Sequence, residues 1–532
     1  MWRMSRKQRE RRERLAGWAA SNEGSDVALH QTVLHAFQKR LQGTVTLPSD
    51  PGYDHARQLT NQAFQKFPLL IVYCEVFQDV WECLAFARRH RLWITTRSGG
   101  HSTAGYSVND SMVIDLSRLN AVTIDYEGRR AIVGPGTNWG HLNATLADYG
   151  LHMPTGGCGD VCVAGYMQGG GYGFTSRKFG INCDNVEEML VMLANGRIVR
   201  AAADCNADLF WALRGGTGNN FGVLLRATYR LHDMPKLWGF GLQWTLDQAP
   251  DALVALQKGF MRQGAPPELG YMLFISFNGP DQTPVLLMRG IYWGDRKEGH
   301  ALLRPLMNDT GGVLSTVYDR VGSYNELNEW LLENIPPCPD LAREDKQSVL
   351  FGKPLKRADW KNICRKLAAS PNTWSTICIE PYGGAINAVP RDFNAFVHRD
   401  SDCDFFVDVF WMNDDERRQL QAYLGEFMAL VEPLSNGESY QNYPRAAQTD
   451  YRRRYWGEQF GRLLAIKRKY DPHEVFRYGQ SVSPEPGRAW PAAAPGAITY
   501  EPYGPPAIAV PELDPPTPPR QPARRRSAKA AP

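Results

Sequence analysis

The chain has 532 residues, too many for one hydrophobic core of ordinary size, so at least two domains or lobes are expected. Hydrophobic residues make up 43% and charged residues 22%, which is ordinary globular composition. The net charge of +4 belongs to the ends: Met1–Ala20 holds seven Lys/Arg against two Glu, and Pro515–Pro532 holds five with no acid. The body is left near −6, which excludes a nucleic-acid-binding face on the folded part.

Both basic ends read as solvated arms, since charged, proline-rich stretches lack the apolar area to fold. They place disordered segments at 1–27 and 483–532. The ten cysteines include no pair of CxxC motifs, so no metal site is expected. The amino terminus lacks the apolar stretch of a secretory signal, and no run is long enough to span a bilayer. A cytoplasmic protein with mostly reduced thiols and no membrane partner is the expectation.

In chain order, Ala28–Leu41 has helical spacing of its apolar positions. PLLIVYCEV reads as a buried strand, DVWECLAFARRHRL as a helix opened by Asp79, and WITTRSGGH as a second strand ending in glycines. This strand–helix–strand unit favours a right-handed crossover between parallel strands. A ligand would lie beyond the carboxyl end of the second strand. WGHLNATLADYG is a further helix, and VEEMLVMLANGRIVRA a hairpin turning at Asn195-Gly196. LFWALRGGTGNNFGVLLRATYRL gives a helix, a glycine loop and a strand.

From about Lys236, the strands FGLQWTL, YMLFISF, VLLMRGIYW, TWSTICIEPYG and FFVDVFW alternate with helical segments. These predict one antiparallel sheet with helices on a face, an α+β domain. YRRRYWGEQFGRLLAIKRKYDP closes the ordered part as a helix.

Four glycine loops stand out: TRSGGHS, TGGCG, QGGGYG and RGGTGNNFG. Glycine lets backbone amides approach and point at a ligand, and consecutive amides form concavities for phosphate oxygens. Four such loops suggest a long ligand with a pyrophosphate. None has the Walker Lys-Ser/Thr, and no GxGxxG joins the first strand and helix, which disfavours classical nucleotide-hydrolysing and Rossmann folds.

RSGGHSTAGYS, PTGGCGDVCVAGYMQGGGYG, GGTGNNFGV and YQNYP before WGEQFGRLLAIKRKYDPHEVF resemble the berberine-bridge-enzyme-like family of FAD-linked oxidases. These belong to the vanillyl-alcohol-oxidase, or PCMH-type, flavoprotein fold. The resemblance runs from about Ala28 to Val482 and is densest in the cofactor lobe. It implies an α+β architecture: a PCMH-type FAD-binding domain of two α/β subdomains over 28–235 and a substrate domain over 236–436 whose antiparallel sheet is covered by helices. A C-terminal segment over 437–482 would return to the FAD domain.

Residue by residue, the resemblance implies that His101 bonds the flavin 8α-methyl and that Cys158 bonds C6. Cys162, at a usual glycine position, is passed over because of Cys158's spacing from Pro154 and from QGGGYG. Arg97, Ser98, Gly99, Gly100 and Ser102 would hold the pyrophosphate region. Gly157, Gly159, Val161 and Gly165 would shape the second loop, and Phe221, Gly222 and Val223 the adenine side. Tyr440, Asn442 and Tyr443 would reach the reactive face, with either tyrosine the base. Tyr106, Tyr166 and His398 are further residues placed toward substrate. Plant members carry glutamates in the stretch here read as PYGGAINAVPRDFNAFVHR, where this chain has Arg391 and Phe393, so a tyrosine base fits better than a carboxylate.

The function so implied is a bicovalent FAD oxidase acting on an alcohol, hemiacetal or activated C–H of a sugar or natural product. Hydride would pass to flavin N5 and electrons to molecular oxygen, an acceptor favoured by Val161. The competing readings are a flavin dehydrogenase with another acceptor, and a flavin-bearing binding protein docked through its basic arms.

Overall fold

The computed structural model describes residues 29–484 except 263, 334, 336–338, 340 and 341. The predicted arm and the predicted tail from 485 onward lie outside the described residues.

Helix α1 (Gln31–Gln38) buries Leu34 and Phe37. The first sheet contains β1 (Thr44–Thr46), β2 (Leu70–Tyr73), β3 (Ile94–Arg97) and β4 (Met112–Asp115) in the order β1-β2-β4-β3. The predicted crossover strands β2 and β3 are both parallel to β4, which lies between them. They run parallel in one sheet, as expected. Helix α2 (Phe77–Arg89) buries Val80, Cys83, Leu84, Phe86 and Ala87, and Phe86 stacks on Phe37 with ring centroids 4.0 Å apart.

Asp79 does not cap α2 from outside but occupies its first turn. Its carboxylate accepts from the amides of Gln42, Gly43 and Glu75 at 2.8–3.0 Å, tying the α1–β1 connection to the helix start. The backbone donors it satisfies are the reason the helix begins two residues earlier than its polar residue suggests.

The second sheet follows, with β5 (Val122–Asp125) and β6 (Arg130–Val133) leading into α3 (Trp139–Asp148). A short strand β7 (Leu151–His152) and helix α4 (Val163–Gln168) precede β8 (Val186–Met192) and β9 (Ile198–Ala202). The β8–β9 hairpin turns at Asn195-Gly196, where Gly196 has φ 85°, a left-handed conformation that suits glycine. Helix α5 (Ala207–Leu213), β10 (Val223–Arg230) and β11 (His232–Asp233) complete this part. The order is β5-β6-β10-β8-β9, antiparallel throughout, and β11 pairs with β7.

The third sheet has seven strands rather than the five predicted. They are β12 (Leu237–Thr245), β13 (Leu269–Ser276), β14 (Val285–Tyr292), β15 (Val313–Gly322), β16 (Arg343–Phe351), β17 (Thr376–Pro381) and β18 (Cys403–Trp411). The order is β15-β12-β14-β13-β17-β18-β16, with all neighbours antiparallel. Strands β15 and β16 are the two edges, and their charged composition (YDR, REDK) hides the alternation that apolar strands display.

Strand alternation gives this sheet two different faces. Leu273, Ile275, Ile377, Ile379, Phe405, Val407 and Val349 pack beneath helices α6 (Ala249–Gly259), α7 (Arg296–Thr310), α8 (Arg357–Ala368) and α9 (Asp414–Val431). Each of these large buried side chains contributes about 1.5–3 kcal/mol on removal from water. The opposite face turns toward the glycine loops. Contact between the lobes is close at Gly270, where a Cβ would stand 1.5 Å from the Phe174 carbonyl oxygen.

The predicted C-terminal helix is two helices, α10 (Tyr451–Trp456) and α11 (Phe460–Tyr470). Gly457, at φ 47° and ψ −126°, breaks them apart. The break lets Trp456 turn inward, fully buried, and donate to the Gly215 carbonyl oxygen at 3.0 Å. Among the described residues no helix is long and apolar enough to cross a membrane.

Candidate active site

The glycine loops and the inner face of the third sheet enclose a cavity of about 650 Å³. Ser98–Thr103, Tyr106, Gly156–Cys158, Gly165–Tyr166 and Thr217–Asn219 border one part of it, and Thr376, Glu380, Phe406, Asp408 and Tyr443 another. The first loop leaves the carboxyl end of β3, where buried Arg97 Nε pairs with Asp115 Oδ2 of β4 at 2.6 Å. Among the described residues, none of the amides from Ser98 to Ser102 donates to a protein acceptor. Consecutive uncommitted amides on a glycine turn form a concavity for phosphate oxygens.

The first and second loops touch. A Cβ on Gly99 would lie 3.0 Å from the Asp160 carbonyl oxygen and 3.1 Å from Cys162 Sγ. His101 Nε2 meets the Asp160 carboxylate at 2.9 Å. Cys158 is accessible through the cavity, whereas Cys162 is buried with Sγ 3.3 Å from the Gly136 carbonyl oxygen. The surrounding walls push the Cys158 thiol up to about 11.

Register builds the opposite wall. One cross-strand row places Leu350, Asp404 and Glu380 side by side; the next holds Ser348, Phe406, Cys378 and Phe274; a third holds Lys346, Asp408 and Thr376. The YQNYP segment is latched onto this face through Ser348. Its Oγ accepts from the Tyr440 amide at 3.0 Å and donates to Asp404 Oδ1 at 2.6 Å.

The two tyrosines are thereby given different settings. Tyr440 is fully buried, and its hydroxyl oxygen accepts from the Gly171 amide at 2.7 Å and Asn442 Nδ2 at 2.9 Å. The Tyr443 hydroxyl bonds Glu380 Oε1 at 2.7 Å. The Lys346 ammonium stands 4.9 Å from the Tyr443 ring centroid and 3.1 Å from both Glu344 and Asp408.

The charges are strongly perturbed. Burial, with Asp404 adding repulsion, pushes Glu380 up to about 8. Burial likewise raises Asp404, to about 7. Burial alone would lower Lys346, but Asp408 and Glu344 outweigh it and raise its pKa, so it stays a cation. Tyr440 and Tyr443 are both raised well above the ordinary phenol value, first by burial and then by Glu380. One oxygen each of Glu380, Asp404 and Asp408 is buried without a hydrogen-bond partner. Glu380 and Asp408 border the cavity, and unpaired buried acceptors there suit a ligand that donates hydrogen bonds.

Comparison with known proteins decides the family. The profile described as "FAD binding domain" matches residues 68–202, and that described as "Berberine and berberine like" matches 439–483. The FAD-linked oxidoreductase YvdP of Bacillus subtilis is 32% identical over 462 residues, covering 84% of this chain and 99% of that protein. The chain belongs to the berberine-bridge-enzyme-like FAD-linked oxidoreductases. It is an FAD-dependent oxidoreductase of α+β PCMH-type fold. Chitooligosaccharide oxidase of Gibberella zeae is 29% identical over 428 residues, covering 75% of this chain and 83% of that protein. The solved structure of Physcomitrella patens BBE-like 1 superposes with a TM-score of 0.76 at 25% identity, covering 85% of this chain and 99% of that one.

Of the residues expected at an FAD site, Ser98, Gly99, Gly100, His101, Ser102, Gly157, Cys158, Val161 and Gly165 border the cavity, as do Tyr440, Asn442 and Tyr443. Arg97, Phe221, Gly222 and Val223 do not; Arg97, Phe221 and Val223 are buried beneath the loops. Gly159 faces Glu329 instead, whose Oε1 a Cβ would meet at 1.8 Å. The uncommitted amides of the first loop and the crowding at Gly99 fit a bound pyrophosphate approached by backbone.

His398 is displaced from its expected role. It is fully buried behind Gln441, with Nδ1 2.8 Å from Glu438 and Nε2 2.9 Å from Gln441 Oε1, and does not border the cavity. Tyr106 packs on Tyr478 at 4.7 Å, and Tyr478 bonds Thr217, so Tyr106 sits with the cofactor loops rather than beside Tyr443. Tyr166 borders the cavity but donates to the Tyr172 carbonyl and lies edge-on to Trp139, bracing the second loop.

Sequence reading missed Glu380, Lys346, Asp404 and Asp408. The stretch searched for a carboxylate, around Arg391 and Phe393, lies outside the cavity, with Arg391 bridging Glu438 and Glu458. The signal was one strand earlier: TICIEP places a lone Glu on an alternate position of an otherwise apolar strand.

Proposed function

We propose that this protein is an FAD oxidase with flavin held through His101 and Cys158, oxidising a hydroxyl-bearing carbon or activated C–H of a sugar or natural product. Bound FAD would supply a two-electron acceptor that takes hydride at N5 and passes the electrons to dioxygen, releasing hydrogen peroxide. The protein's part is to place the substrate, keep out water and manage one proton.

The observation that carries this reading is the 2.7 Å contact between Tyr443 and Glu380 in a cavity shared with His101 and Cys158. Tyr443 is the base: its oxygen takes the substrate's hydroxyl proton while its own proton moves to Glu380. Burial and Asp404 make Glu380 basic enough for that task. Lys346 lies over the Tyr443 ring face and moderates the rise in the Glu380 pKa. Tyr440, bound by two donors and fully buried, holds Asn442 and Gly171 in place.

A substrate rich in hydroxyl groups matches the unpaired acceptors on Asp408 and Glu380. Similar proteins include the chitooligosaccharide oxidase above and a xylooligosaccharide oxidase solved in complex with xylobiose. Dioxygen as acceptor draws support from Val161, a small side chain bordering the cavity.

The test begins with acid precipitation of purified protein. Yellow colour should stay with the pellet in wild type and in His101→Ala, and leave only in the His101→Ala/Cys158→Ala double variant. Reduced enzyme mixed with aerated buffer should reoxidise rapidly and yield peroxide. Slow reoxidation would favour the dehydrogenase reading instead.

A further inference from the structure

We propose that Asp160 is the residue that selects which nitrogen of His101 bonds the flavin, and that it thereby makes the first attachment depend on the loop carrying the second. The inference rests on the covalent reading above. Three observations support it.

First, Asp160 Oδ2 lies 2.9 Å from His101 Nε2. Beside a carboxylate acceptor, Nε2 carries the proton and donates. The neutral ring then has its lone pair on Nδ1, and among the described residues no group hydrogen-bonds Nδ1. One partner on one nitrogen fixes both tautomer and ring orientation.

Second, Asp160 follows Cys158 by two residues in the same short loop, and its carbonyl abuts Gly99 of the histidine loop. The two attachment points are thus joined by a side-chain contact and a backbone contact. Third, the His101 hydrogen bond is the leading cause that holds the Asp160 carboxyl below its ordinary range, so it is ionised at neutral pH.

The bond formed is His101 Nδ1 to the flavin 8α carbon, and the bond broken is one 8α C–H. The hydrogen leaves as a proton to solvent, and its electron pair passes through the ring system to dioxygen, which takes up two protons and departs as hydrogen peroxide. Alkylation of Nδ1 while Nε2 keeps its proton leaves an imidazolium. Asp160 meets that developing positive charge through the existing Nε2–H contact. A carboxylate that holds a histidine tautomer and balances the imidazolium can matter greatly to rate even where the ground-state pair contributes little to stability.

The experiment is peptide mapping by mass spectrometry of full-length wild type, Asp160→Asn, Asp160→Glu and the same substitutions in a Cys158→Ala background. Thermal melting of each confirms folding. The expected result is that Asp160→Asn lowers the flavin-bearing fraction of the His101 peptide by about tenfold or more while the Cys158 peptide stays modified, with recovery in Asp160→Glu. In the Cys158→Ala background, Asp160→Asn should release most flavin on acid precipitation. Equal modification of His101 in wild type and Asp160→Asn would overturn the proposal. So would parallel loss at both peptides, which would mark Asp160 as a residue of loop folding. Absence of flavin from both peptides of the wild type would instead remove the covalent reading itself.

Discussion

The Tyr443 hydroxyl and Glu380 Oε1 are 2.7 Å apart, although 63 residues separate them in sequence. Glu380 comes from β17 and Tyr443 from the segment latched across the sheet by Ser348. Tyr443→Phe removes the proposed proton acceptor and should slow anaerobic flavin reduction by about 10²–10⁴-fold with flavin content unchanged. Tyr440→Phe, which removes an acceptor from two backbone-positioning donors, should act mainly on stability. Stopped-flow reduction of both variants checks the assignment: equal slowing, or none, would reverse it.

The pH profile should carry the signature of Glu380. Below about 8 the group is protonated and has no room for the phenol's proton; above it the carboxylate accepts. Flavin reduction should therefore rise with pH through that region. In Glu380→Gln the rising limb should disappear along with most of the rate. Reduction rates measured across pH 6 to 10, on a scale of about that width around the group's pKa, give the comparison.

Stability should move in the opposite direction with pH. Burial raises both Glu380 and Asp404 above the ordinary carboxylate range, to about 8 and about 7. The folded chain then keeps protons that the unfolded chain releases near pH ~4. The stabilisation is complete below that value and is lost as pH rises through the folded-state values. Asp404→Asn should flatten this decline, seen as a smaller fall in Tm between acidic and alkaline buffer.

Lys346 holds two carboxylates and faces the Tyr443 ring. Lys346→Met would leave Glu344 and Asp408 facing each other in a buried setting, costing about 3–5 kcal/mol. It should also shift the rising limb of the reduction profile to higher pH, because Lys346 lowers the Glu380 pKa. Denaturant unfolding and the pH profile together separate the two effects.

Gly270 marks the junction of the lobes. Its α-carbon faces the Phe174 carbonyl so closely that an added methyl would need backbone to move. Gly270→Ala should cost about 1–3 kcal/mol or more and lower Tm. Heating curves followed by tryptophan fluorescence would register the shift.

The glycine loops were legible because they announce themselves locally: each needs backbone amides near a ligand, and only glycine permits the approach. His101, Cys158 and the YQNYP segment were singled out through the family resemblance of their motifs, and all three border the cavity. The alternating apolar strands of the third sheet were likewise visible, because burial on the helix side demands a period of two.

What tertiary structure alone decided was which distant residues share a wall. Glu380, Asp404, Asp408 and Lys346 lie on three strands, and each looks ordinary within its own segment. Strand order and register bring them onto one face, where burial and mutual repulsion push the carboxyl groups above their ordinary range. His398 shows the converse. A conspicuous histidine in sequence became a buried strut behind Gln441 once the chain closed over it. The sequence determined the local chemistry of the glycine loops; only packing, which fixes distance and desolvation, determined which charged groups gather at the cavity wall.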